Sequence, residues 1–117
     1  MDDFGLNEMQ EIQRQLQEKY KDKWGGLSPE KGRNQLLWMM IEVGEVADII
    51  KKEGDNHIMN DEETRKHFLE ELCDVLMYLN DVMLCYSISP EELKEVYFQK
   101  HNKNFRALVN SNFIISI

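Results

Sequence analysis

The 117 residues predict an all-α domain. Apolar residues recur at spacings of three and four along four stretches, and no stretch alternates at a period of two. Hydroxyl-Pro-Glu or Asn-Asp-Glu-Glu signatures precede three of the four, as helix N-termini require.

The first helix is expected over Asn7–Asp22, where Met9, Ile12, Leu16 and Tyr20 form an apolar stripe. Lys23-Trp24-Gly25-Gly26 ends it, since paired glycines interrupt helices. Ser28-Pro29-Glu30 offers a hydroxyl cap and a first-turn proline for a second helix running to about Glu53, with Gly54 as its stop. That helix is apolar on more than one side. Leu36, Met40, Val43, Ala47 and Ile50 share one face, and Trp38, Glu42, Glu45 and Ile49 another. A helix apolar nearly all round is buried nearly all round, which in so small a domain implies subunit contacts.

Gly54–Asn60 reads as a polar loop. Asn60-Asp61-Glu62-Glu63 resembles a capping box for a third helix whose core stripe is Phe68, Leu72, Val75, Leu76, Leu79 and Met83. Ser89-Pro90-Glu91-Glu92 opens a fourth, with Leu93, Val96 and Tyr97 inward. Asn112–Ile117 is apolar and without pattern, so the tail 108–117 receives no role. A chain of this length is one domain spanning 1–117.

A net charge of −8 disfavours a broad nucleic-acid surface. Met1-Asp2-Asp3-Phe4 lacks the basic start and apolar run of a signal peptide, and the apolar run Leu36–Ile41 stops at Glu42, far short of a membrane span. Cys73 and Cys85 fall on one predicted helix, about 18 Å apart and too distant to bridge. A reducing, cytoplasmic setting is expected.

The chemistry rests on two acid pairs, Glu42 with Glu45 and Glu71 with Asp74, each three apart on a helix. Such pairs commonly belong to a solvated face, and Glu70, His67 and Asp81 share the side of Glu71 and Asp74. Glu42 and Glu45, by contrast, interrupt an apolar run, where a buried carboxylate costs several kcal/mol unless compensated. Two pairs facing one another make an oxygen-lined site for a hard divalent cation, Mg²⁺ or Mn²⁺ rather than zinc. Di-iron, zinc-finger, phosphate-loop and serine or cysteine nucleophile patterns are missing. The seven methionines read as packing.

The runs Arg33-Asn34-Gln35-Leu36-Leu37, Glu42-Val43-Gly44-Glu45-Val46-Ala47 and Glu70-Glu71-Leu72-Cys73-Asp74-Val75-Leu76-Met77-Tyr78-Leu79 resemble the two signatures of the MazG-like all-α nucleoside triphosphate pyrophosphohydrolases. Lys100, Asn104 and Arg106 resemble that family's C-terminal Lys-x-x-x-Asn-x-Arg element. The match covers roughly Trp24 to Arg106, and Cys73 stands where relatives often carry Ala or Gly.

The resemblance implies a four-helix-bundle-like fold assembling as a homodimer or homotetramer. It also implies Mg²⁺-dependent hydrolysis of a nucleoside triphosphate to the monophosphate and pyrophosphate. Glu42, Glu45, Glu71 and Asp74 would hold the metal, and one glutamate would accept the proton of the attacking water. Lys100, Asn104 and Arg106 would meet phosphate oxygens; a solvated helix end is their plainer role. Trp24 and Trp38 can stack on a base and Asn34 can read its edge, although Trp38 suits an interface equally. Two other readings fit the same residues: a non-catalytic helical interaction module, and a metal- or nucleotide-binding regulator.

Overall fold

The Ser28 hydroxyl accepts from the Lys31 backbone N–H at 3.2 Å, and Pro29 takes a first-turn position whose N–H has no helical partner. That start sets the longest helix in a computed structural model describing residues 3–110. The helices are α1 (Leu6–Lys19), α2 (Lys21–Trp24), α3 (Pro29–Glu53), α4 (Asp55–Asn60), α5 (Glu62–Cys85) and α6 (Pro90–Asn110). Among the described residues there is no strand, so the all-α expectation holds. The chain divides into two units, Met1–Ser87 and Ile88–Ile117. In the first, α3 packs chiefly along α5, and α1 and α4 also rest on α5. The second carries α6, whose start is capped by Ser89 Oγ accepting from the Glu92 N–H at 3.1 Å. The apolar stretch 112–117 lies outside the described residues.

Three boundaries differ from the sequence reading. The first helix is in two pieces: α1 stops at Lys19, Tyr20 leaves helical geometry, and α2 adds one turn before Gly25 and Gly26, both at positive φ. The expected loop Gly54–Asn60 is mostly helical. Gly54, at φ +83°, stops α3, and α4 follows because Ile58 finds a buried place. The cap of α5 is Asp61 rather than Asn60. Its carboxylate accepts from the Thr64 N–H at 3.0 Å and the Thr64 hydroxyl at 2.7 Å, so Thr64 takes the place expected of Glu63.

The apolar faces differ more. On α1 the buried residues are Gln10, Gln13 and Gln17, while Ile12, Leu16 and Tyr20 of the expected stripe stay exposed. The two stripes lie about a quarter turn apart. α1 turns its amides inward because α5 meets it with polar groups: Gln13 Nε2 donates to Asp81 Oδ1 at 2.9 Å, and Gln10 Nε2 approaches Met83 Sδ at 3.9 Å. The inward side of α3 is Gln35, Met39, Glu42, Val46 and Ile49, not the Leu36–Ile50 face. Seven large apolar residues of α3 remain exposed: Leu36, Leu37, Trp38, Met40, Ile41, Val43 and Ile50. On α5 the fully buried segment is the C-terminal one, Asn80, Asp81, Met83, Leu84 and Cys85, whereas Leu72, Leu76 and Leu79 are exposed. Val96 and Tyr97 of α6 are exposed as well. With Ile49 and Ile58, Met83, Leu84 and Cys85 make up the buried hydrophobic core among the described residues.

Two helical glycines of α3 separate packing from propensity. A Cβ on Gly32 would lie 2.7 Å from Tyr86 Cε2 and 3.0 Å from Cys85 Cβ, so Gly32 admits the end of α5 against the start of α3. A Cβ on Gly44 would meet nothing within 4 Å. Alanine gains about 1 kcal/mol over glycine in a helix interior. Thermal unfolding of G44A is expected to show a Tm a few degrees above the parent chain. G32A is expected to melt below it, because the ring and the cysteine must shift.

Candidate functional site

Residues three apart on a helix lean to one side, so Glu71 and Asp74 of α5 present carboxylates together and Glu42 of α3 meets them. One oxygen of each of the three lies within 4.8 Å of the other two. Glu42 and Glu71 are half-buried. Burial, then a hydrogen bond with Glu71, then repulsion from Glu71, Asp74 and Glu45 hold the Glu42 carboxyl above its ordinary 4.5. Burial, followed by the charges of Glu71 and Glu70, raises Asp74 above 3.8. Burial and then Glu42, Asp74 and Asp81 push the Tyr78 phenol above 10. On the outer side, His67 Nε2 stands 3.4 Å from Glu71 Oε1.

Glu45 is not in this triad. It is exposed on α3 and lines a neighbouring groove with Asp48, Lys52, Glu63 and His67, although its charge still reaches Glu42. The site is therefore three convergent carboxylates with a fourth one helical turn away.

The triad fits a hard divalent cation on three counts. Its donors are all carboxylate oxygens, the ligand type that Mg²⁺ and Mn²⁺ take. Two oxygens facing each other across Mg²⁺ are about 4.2 Å apart, so a set within 4.8 Å closes on one ion through small side-chain rotations. Burial lifts Glu42 and Asp74 most, and the mutual repulsion that adds to it is what a cation removes.

Beside the triad, sharing Asp74 with it and lined also by Tyr78, opens a cavity of about 490 Å³. Trp24 and Trp38 both line it. Asn34 is exposed and does not, while its neighbour Gln35, 100° further round α3, does. Gln13, Gln17, Lys31 and Asp81 complete the polar lining, and none of these was singled out as a ligand from sequence. Gln10, Gln13 and Gln17 do repeat at three and four, but on a helix this polar the repeat alone does not tell a buried face from a solvated one. Lys100, Asn104 and Arg106 stand exposed on α6, in the second unit. Both cysteines lie on α5 and are free, Cys73 exposed and Cys85 buried. No single described helix is long and apolar enough to cross a membrane.

Comparison of the chain with family models, with curated proteins and with solved structures finds no match.

The raised carboxyls fix the sign of a stability test. A carboxyl whose pKa is higher folded than unfolded favours the fold below its unfolded value, and that favour is lost as pH rises through the folded value. In EDTA, E42Q and D74N are therefore expected to melt a few degrees above the parent at pH 7. The gain should fade as pH falls towards the ordinary values of 4.5 and 3.8. Millimolar Mg²⁺ should raise the parent's Tm and leave the two variants less affected, because a ligand of the folded state alone stabilises it. Equal metal shifts in all three proteins would speak against the triad as the ligand set.

Proposed function

We propose that the chain hydrolyses a nucleoside triphosphate to the monophosphate and pyrophosphate, with Mg²⁺ or Mn²⁺ held by Glu42, Glu71 and Asp74. The observation that carries this is the convergence of three carboxylates from two helices beside a cavity lined by two tryptophans. The resemblance of the Glu42–Ala47 and Glu70–Leu79 runs to the two MazG-like signatures supports the same reading.

A divalent cation at such a site supplies charge for the triphosphate oxygens and a water acidified enough to attack phosphorus near neutral pH. The chain's own groups do the rest. Glu42, Glu71 and Asp74 fix where the phosphates sit. Glu45, outside the triad and in reach of its field, receives the proton of the attacking water. Lys100, Asn104 and Arg106 meet phosphate oxygens in this reading, a role given by their resemblance to the family's basic element. Trp24 and Trp38 flank the base.

The same reading makes the active form a homodimer or homotetramer. Leu37, Met40 and Ile41 of α3 are each more than half exposed, a poor ending for an apolar helix unless another copy covers it. Two free cysteines accord with a reducing, cytoplasmic setting.

Incubation with a panel of ribo- and deoxynucleoside triphosphates and Mg²⁺ should release pyrophosphate, and EDTA should stop it. E71Q and D74N should each lower kcat/KM by about 10²-fold or more. Lack of release from every nucleotide ends the hydrolase reading. Light scattering at micromolar concentration should give the mass of two or four copies, and M40E should shift it towards one. A monomeric parent chain would remove the assembly from the proposal.

A further inference from the structure

The cavity beside the triad has a polar end that phosphate chemistry does not use. Asp81, on α5, is 4% exposed, and its carboxylate is held from two sides. Gln13 Nε2 of α1 donates to Oδ1 at 2.9 Å, and Gln35 Nε2 of α3 donates to Oδ2 at 3.0 Å. A carboxylate only accepts, so both amides must turn their NH₂ groups to it, and their carbonyl oxygens remain as further acceptors. Each Asp81 oxygen retains capacity for another donor. The cavity also holds one cation. Lys31 Nζ donates to Gln17 Oε1 and sits 5.6 Å from the Trp24 ring centroid. Gln13 and Gln17 are buried to the same degree as Asp81. The cavity thus offers an acceptor-rich end, one ammonium donor and two indole rings, in a volume ordinary for a small-molecule site.

We infer that this cavity selects guanine, with Asp81 as the specificity-determining residue and Lys31 as the donor to the base carbonyl. The assignment rests on the reading of the triad as the phosphate end of a nucleotide site. Guanine carries two adjacent donors, N1–H and the N2 amino group, which match the two oxygens of one carboxylate, and beside them the O6 acceptor, which matches an ammonium. Adenine and cytosine set a ring acceptor next to their single amino group. Uracil and thymine flank one N–H with two carbonyls, and a carbonyl oxygen turned to Asp81 is repelled. A buried group built to receive a donor discriminates strongly against the base that lacks it, because the group is left unpaired.

The chain's two tryptophans both line the cavity, so their fluorescence reads its occupancy. Titrations with GMP, IMP, XMP, AMP, CMP and UMP in Mg²⁺ should give a Kd for GMP about tenfold or more below the others, IMP being the analogue that lacks only the N2 amino group. That comparison needs no variant. D81N exchanges one acceptor for a donor while keeping the other, which suits the O2 carbonyl of xanthine, and it should bind XMP more tightly than GMP. Binding of AMP, CMP or UMP within about threefold of GMP overturns the assignment, as does a D81N protein that still prefers GMP, or no binding of any of the six. Pyrophosphate release separates the two readings. A chain that binds in the expected order but cleaves no triphosphate sinks the hydrolase and leaves guanine recognition standing. One that cleaves all triphosphates with equal kcat/KM leaves the hydrolase and sinks guanine recognition.

Discussion

One buried carboxylate joins three helices. Asp81 on α5 accepts from Gln13 on α1 and from Gln35 on α3, and no other polar pair among the described residues ties these three segments at one point. Burying a charge is unfavourable unless hydrogen bonds replace its hydration, so the two amides are what make the position tolerable. They also set register. On α3, Gly32 and Met39, one turn either side of Gln35, carry no side-chain N–H that could donate in its place. Asp81 stands seven residues after Asp74, two turns along the same face, and Gln35 stands seven before Glu42. The clasp that positions the helices thus also brings the acids of α3 and α5 to a common level.

The α3–α5 seam accordingly mixes two kinds of contact. Met39, Val46 and Ile49 supply apolar packing on the inward side of α3, and Gln35 and Glu42 interrupt it at the same helical spacing. Few residues are fully buried, and much of the apolar surface of α3 faces outward. A helix of this composition normally has company on more than one side. Its outward face is the structural ground for reading the chain as one copy of a larger assembly.

Much of the frame was legible in the sequence because it depends on local chemistry. Ser28 and Ser89 mark helix starts through bonds that reach only three residues, and Gly54 stops α3 through a positive φ that costs glycine little. Glu42 interrupts an apolar run and so reads as an acid that needs a partner, whereas Glu71 and Asp74 share a side with Glu70, His67 and Asp81 and were not set apart in that way. What escaped depends on groups distant in sequence. Gln10, Gln13 and Gln17 look like a solvated face until Asp81 and Met83 are set against them, 68 and 73 residues away for the bonded pairs. The same blindness placed Asn34 rather than Gln35 in the cavity. Both are carboxamides on one helix, and only the rotation of α3 against α5 separates them. Glu45 fell outside the triad for a related reason: its spacing to Glu42 allows convergence without requiring it.

The glutamine face of α1 has a thermal consequence. Exposure of apolar surface raises the heat capacity of unfolding and exposure of polar surface lowers it. Lifting α1 from α5 uncovers Gln10, Gln13, Gln17, Asn80 and Asp81 beside Met83. The polar part of that opening lowers its heat capacity, so its free energy should curve less with temperature than that of an all-apolar contact of the same size. The cavity that α1 closes is then held by a contact whose strength does not fade on cooling in the way hydrophobic contacts do.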